Sequence, residues 1–299
     1  MALSEWFKDH YHWQDVKIIN EQLIETENGR KRLHLWSDKE LLDWHIEWRD
    51  RCSVTPYVLA DRMIRNRNQE AFSAWNNGWL TIHDDVSHSY DKECAEQIGM
   101  TIGAMIQHGK ETHSKVQPSV QTEPAFPKLQ RYVSRFEDRR LMLLTFISEA
   151  KSRMKKAEAL IEHVNEPLPL LDPIRTTEQV KKMYQIVIWY GTNEYPERGY
   201  RSLRQFLSEF LHENGEESFK KLLDGMYTAD KLTREQAILL LAECLKPYEL
   251  DPLVRVAEHN PTKEEIECCM NQVERDWESS RKLVQLISAS IDKKKVAIS

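Results

Sequence analysis

Up to about Thr81 the hydrophobic positions come in short runs, whereas beyond about residue 128 they recur mainly at helical spacing. Val16 to Ile19 and Glu21 to Thr26 are β-compatible, and Glu27-Asn28-Gly29 is a turn signal leading into Arg30 to Trp36. Within that last run Arg32, His34 and Trp36 alternate with Leu33 and Leu35, which predicts a two-faced strand in a hairpin. Ser37, three residues before Glu40, forms a capping box, and Leu41, Leu42, Trp44, His45 and Trp48 then predict a helix to about Cys52. After Pro56, strands are expected at Tyr57 to Ala60, Ala71 to Trp75 and Trp79 to His83, the last two joined by Asn76-Asn77-Gly78. A helix follows from about Asp91 to His108, with Ile98, Ile102, Met105 and Ile106 on one side. Its Gly99 and Gly103 stand where another backbone can approach.

Residues 109–127 carry Pro118, Pro124 and Pro127 with little periodicity and read as a linker. Lys128 to Val164 contains neither Gly nor Pro and is a long amphipathic helix or a broken pair. Thr176-Thr177-Glu178 opens an expected helix through Val180, Met183, Tyr184, Val187 and Ile188. Further helices are predicted at about 202–212, 218–227, 234–245, 253–258 and 263–289. The division expected is a small lobe at 1–108, a linker at 109–127, a helical lobe at 128–292 and a frayed tail at 293–299. The fold class is therefore α+β with two lobes, a small antiparallel sheet followed by a large helical part. An all-α adaptor, with the opening strands misread, is the alternative.

Composition narrows the function classes. A chain of 299 residues, 30% charged and 40% hydrophobic, is long enough to bury a substantial core. Its net charge of -6 gives no long-range attraction for nucleic acid, and Lys151 to Lys156 reads as a solvated helix face. There is no apolar run of about eighteen residues and no signal-peptide order at the start, so no membrane span and a cytoplasmic location are expected. The five cysteines lack Cys-x-x-Cys spacing and are read as reduced.

Three constellations bear on chemistry. His83, Asp84, Asp85 and His88 place four potential metal ligands in a short stretch, but a polar turn between a strand and a helix accounts for them equally well, and no metal site is assigned. There is no Gly-x-Ser-x-Gly elbow, and no cysteine sits in a catalytic context. Trp36, Trp44, Trp48, Trp75 and Trp79 fit the core between a sheet and its helix. Trp189, Tyr190, Tyr195, Arg198 and Arg201 lie in an irregular segment whose aromatic and arginine content is that of an interaction surface, or else of a buried connection between elements.

The element order, together with Trp6-Phe-Lys-Asp-His-Tyr near the start, Tyr195-Pro-Glu-Arg-Gly-Tyr-Arg-Ser-Leu-Arg-Gln-Phe-Leu and the later Asn214-Gly215, resembles the aminoglycoside-phosphotransferase branch of the kinase fold. Within that branch it is most similar to the spore-coat-associated kinase-like proteins of endospore-forming bacteria. Phosphoryl transfer in such folds needs a phosphate cradle, a cation on the phosphates, a carboxylate for the acceptor and ligands for magnesium. Here the glycine-rich loop is missing, His34 stands where the resemblance implies a strand lysine, and Glu40 or Glu47 could mimic its helix partner. No His, Asp and Asn appear at catalytic-loop spacing; His83-Asp84-Asp85 is the nearest acidic string and lies before the hinge.

The resemblance thus implies a degenerate kinase with no assigned catalytic residue, its cleft remnant marked by His34 and Glu47. It would work by binding a protein partner, in association with the spore coat. No cofactor is expected, magnesium-ATP entering only if the cleft is functional. The competing readings are an active small-molecule or protein kinase with non-standard residues, and a helical adaptor without a nucleotide cleft.

Overall fold

The computed structural model describes residues 3–54, 58–112, 114–259 and 261–298, with the side chains of 294–298 left out. Helix α1 (Leu3–His10) leads into strands β1 (Val16–Asn20), β2 (Leu23–Thr26) and β3 (Gly29–Trp36), which pair antiparallel around the expected turn. Helix α2 (Lys39–Arg51) follows, capped by the Asp38 carboxylate on the Leu41 N–H rather than by Ser37. Strands β4 (Val58–Ala60), β5 (Ser73–Trp75) and β6 (Gly78–Asp84) complete the first part; the expected strand start at Tyr57 lies outside the described residues.

The main sheet has the order β1-β2-β3-β6-β5. Alternation along β3 divides its side chains between two faces. Leu33 packs with Trp6, Phe7, Tyr11, Ile24, Leu80 and Ile82, whereas Trp36 joins Leu42 and Trp48 in a second core. A five-stranded sheet ahead of a mainly helical remainder bears out the two-lobed α+β reading over the all-α one.

Helix α3 (Ala95–Glu111) packs along the later helix Arg201–Met226, so it lies in the helical layer. Of the two readings for residues 128–164, the broken pair is found: 3₁₀ turns over Phe126–Arg135 and Glu137–Arg139, then α4 (Arg140–Ile161). The helix expected from Thr176 is corrected. After β7 (Leu170–Leu171), Thr176 caps only one 3₁₀ turn, and β8 (Val180–Met183) and β9 (Ile186–Trp189) form an antiparallel hairpin about Tyr184. Val180, Ile186, Val187 and Ile188 are β-branched and stiff at χ1, and β4 leaves the main sheet to pair parallel with β9.

After β10 (Glu197–Arg198), the chain continues as α5 (Arg201–Met226), α6 (Arg234–Leu245), α7 (Asp251–Glu258) and α8 (Lys263–Ile298). Gly215 interrupts α5 with a φ of 75°, a conformation costly for any residue with a Cβ. The tail expected to fray continues α8 to Ile298, and Ser299 lies outside the described residues. Gly99 of α3 touches the Leu222 carbonyl of α5 so closely that an added Cβ would overlap it. Among the described residues no helix is long and apolar enough to cross a membrane.

Candidate functional site

The two lobes meet along β3, β6, α2 and the segment after β9, where the chain buries an unusual number of ionisable groups. Asp61, just beyond β4, is 4% exposed and accepts from the Arg32 guanidinium at 2.7 Å. Its other carboxylate oxygen lies 3.4 Å from His83 Nδ1. Burial by itself would raise the Asp61 pKa, but the facing His83 and Arg32 outweigh it and hold the carboxyl well below the usual range. The His83 tautomer follows from its neighbours. Trp36 Nε1 donates to Thr81 Oγ1 at 2.9 Å, which leaves the Thr81 proton for His83 Nε2 at 3.1 Å and puts the His83 proton on Nδ1, facing Asp61.

Arg32 reaches this network because even-numbered positions of β3 face the second lobe. Its guanidinium carbon sits 3.6 Å from the centroid of the Tyr190 ring, a cation–π contact. The Tyr190 hydroxyl accepts from the Val86 N–H at 2.6 Å, with the Val86 carbonyl at 3.2 Å and the Asp84 carbonyl at 3.5 Å. A single side chain therefore bridges the end of β9 and the segment between β6 and α3.

Deeper in, Arg49 of α2 is 2% exposed and donates to the Thr192 carbonyl at 2.6 Å, while its Nε and one terminal nitrogen have no hydrogen-bond partner. A Cβ on Gly191 would lie 2.7 Å from this guanidinium and 2.8 Å from the Asp172 carboxylate, so the bare glycine lets both converge on one backbone position. Asp172, at the end of β7, accepts from the Thr192 N–H at 3.0 Å and hydroxyl at 2.5 Å. Burial raises its pKa, opposed by the Arg49 charge and the Thr192 bonds. His45 is fully buried against the Glu194 carbonyl at 2.8 Å, and burial together with the Arg49 charge holds it neutral, well below its ordinary pKa.

The residues singled out in the sequence separate on this framework. His34 does face inward, edge-on to His83 at 5.0 Å between ring centroids; burial foremost, with the Arg32 charge, pushes its pKa down to about 3. Glu47 does not share the site: it lies on the outer face of α2, 56% exposed, paired with Arg51 at 3.0 Å. His45 and Arg49, each two positions from Glu47 and so on the opposite side of the helix, point inward instead, because the buried face of α2 is set by Trp44 and Trp48.

The expected interaction surface is not one patch. Trp189 is buried against Phe206, and Tyr190 fills the cleft. Tyr195 bonds Asp38 at 2.9 Å, while Arg198 and Arg201 bond the Leu168 and Thr122 carbonyls. Of the five, Trp189 alone is buried, Tyr190 and Arg201 are half-buried, and Tyr195 and Arg198 are exposed.

The metal alternative likewise disperses. Lys31 holds Asp84 at 2.6 Å and Asp61 holds His83, and among the described residues no group of three or more His, Cys, Asp or Glu could hold a metal ion. Sequence reasoning missed Asp61, Arg49 and Asp172. Asp172 has Leu170 two residues before it and Thr177 five residues after it, so of the His, Asp and Asn searched for only the Asp is present.

No family model matches the chain, and no curated protein matches it in sequence. Solved structures do match in shape. An aminoglycoside phosphotransferase from Alicyclobacillus acidocaldarius superposes with a TM-score of 0.64 at 10% identity, covering 98% of this chain and 97% of that one. An AMP-bound spectinomycin phosphotransferase gives 0.51 at 10% identity, covering 96% and 97%. Amicoumacin kinase in complex with AMP-PNP and calcium gives 0.50 at 10% identity, covering 94% of each chain. The chain has the kinase-like fold of these small-molecule phosphotransferases.

Proposed function

We propose that this chain is a non-catalytic member of the kinase-like fold, acting by binding a protein partner rather than by transferring phosphate. The observation that carries the reading is what stands at the two magnesium positions. In a kinase the loop before the β8–β9 hairpin carries an Asp followed five residues later by a metal-binding Asn, and the hairpin ends in Asp-Phe-Gly. Here the corresponding string runs from Asp172 to Thr177, and the hairpin ends in Trp189-Tyr190-Gly191.

Thr177 is turned to Glu209, donating its hydroxyl at 2.7 Å, and Trp189 is an apolar side chain in the core. With the Thr177 hydroxyl committed to Glu209 and no oxygen on the Trp189 side chain, neither position offers the amide or carboxylate oxygen that holds magnesium in a kinase. Asp172, the one acidic residue at the expected spacing, is buried and engaged with Thr192 rather than open to an acceptor hydroxyl. The resemblance to spore-coat-associated kinase-like proteins points to assembly of that shell as the setting.

The test is thermal unfolding of the full chain with and without millimolar magnesium-ATP, alongside a phosphate-release assay. A ligand at a hundred times its dissociation constant would stabilise the native state by about 2.7 kcal/mol. The expected outcome is no shift and no turnover; magnesium-dependent stabilisation with phosphate release refutes the reading.

A further inference from the structure

Val86 belongs to the segment between β6 and α3, and its backbone presents an N–H donor with the Asp84 and Val86 carbonyls beside it. Such an alternation of donor and acceptors on an extended edge is complementary to the adenine edge, where an amino group donates next to ring nitrogens that accept. Tyr190 already uses these groups. Its one hydroxyl takes the Val86 N–H at 2.6 Å and lies 3.2 and 3.5 Å from the Val86 and Asp84 carbonyls. The ring behind that hydroxyl is flat and aromatic like a purine, and Arg32 stacks on its face at 3.6 Å. A guanidinium stacks on a nucleobase by the same attraction.

Several independent restraints hold the ring in place. The Tyr190 N–H donates to the Gln179 carbonyl at 2.7 Å, and Gln179 Nε2 donates back to the Tyr190 carbonyl at 3.1 Å. Arg32 is fixed from its far side by Asp61. The backbone groups between the lobes are therefore satisfied from within, as buried polar groups must be when no ligand is present.

We infer that Tyr190 is a built-in plug occupying a latent purine site, and that Arg32, Val86 and Asp84 form the walls of that site. The inference rests on the non-catalytic reading above and adds that binding, not only turnover, is blocked, by one side chain. Removing the ring frees a slot edged by the Val86 N–H and carbonyl with its stacking cation in place, the Asp84 carbonyl staying bonded to Arg32 at 3.3 Å. The slot accepts an adenine nucleoside without any need for magnesium, because none of these contacts involves phosphate.

The experiment uses the full-length wild type, Tyr190→Ala and Tyr190→Phe, with adenosine as probe and no metal. By calorimetry Tyr190→Ala should bind adenosine at least about tenfold more tightly than wild type, which is 1.4 kcal/mol. A folded Tyr190→Ala with no gain overturns the plug, as does a wild type that binds adenosine equally well.

Tyr190→Phe keeps the packing and removes only the hydroxyl, so it decides the matter even if the alanine variant fails to fold. Its Val86 amide should exchange with solvent about tenfold faster than in wild type; unchanged exchange overturns the proposal. Adenosine binding by wild type without phosphate release would sink the plug and leave the non-catalytic reading standing. Turnover of magnesium-ATP by wild type would sink that reading itself.

Discussion

Replacing Asp61 with alanine isolates the electrostatic keystone of the cleft. The carboxylate is 4% exposed, 2.7 Å from Arg32 and 3.4 Å from His83. Arg49, 2% exposed with two unpartnered nitrogens, is held partly by the same negative charge. Alanine would leave one fully buried and one largely buried guanidinium without that counter-charge. Removing one partner of a buried pair costs about 3–5 kcal/mol, because the remaining charge stays desolvated.

At about 2.1 cal/mol/K of unfolding entropy per residue, a 299-residue chain loses about 1.6 °C of melting temperature per kcal/mol. The variant should therefore melt about 5–8 °C lower, read by circular dichroism or calorimetry at neutral pH. Removing Arg32 as well, as methionine, should recover part of the loss, since the two residues are coupled. A fall of less than about 1.5 °C in the single variant, on the order of 1 kcal/mol, would refute the claim that Asp61 neutralises the cleft. The pH sign agrees: a carboxyl whose folded pKa is depressed contributes fully above its unfolded value near 4 and loses that contribution as pH falls further toward the folded value.

The buried histidines give an acid limit at milder pH. His34, pushed down to about 3, and His45, held well below its ordinary value, stay neutral in the fold while the unfolded chain takes up protons below about pH 6.5. Stability is then full above that pH, and each residue should remove about 1.3 kcal/mol per pH unit between pH 6 and 5. Urea midpoints should show this slope reduced in His34→Gln; an unchanged slope would mean that His34 protonates in place. Gly99→Ala should drive the new Cβ into the Leu222 carbonyl and spread α3 from α5. Overpacking of this kind costs about 1–3 kcal/mol, a drop of about 2–5 °C, and a variant as stable as wild type would show that the two backbones are free to separate.

Much of the fold was legible in the chain because local signals and burial agreed. The turn at Asn28-Gly29, the alternation from Arg32 to Trp36 and the tryptophan face of α2 each predicted what formed. Legibility failed where distant partners decided the conformation. Val180 to Ile188 has spacing compatible with a helix, yet β4, more than a hundred residues earlier, supplies an edge that satisfies the β9 backbone and favours a strand.

The site divides the same way. His34 faces inward as the alternation of β3 implies, whereas Glu47 lies on the outer face of α2, because charge alone does not say which side of a helix is buried. Tyr190 read as part of an aromatic surface, since nothing in its neighbours announces Val86, 104 positions away in the sequence. The sequence by itself determined the two-lobed order of elements, the inward face of β3 and the absence of the usual kinase motifs, because these depend on period and residue identity. Only the tertiary structure decided that Asp61, Arg32, His83, Arg49 and Asp172 come together and that Tyr190 bonds the Val86 backbone beneath Arg32. Those facts rest on which distant segments must satisfy one another's charges and hydrogen bonds once water is excluded.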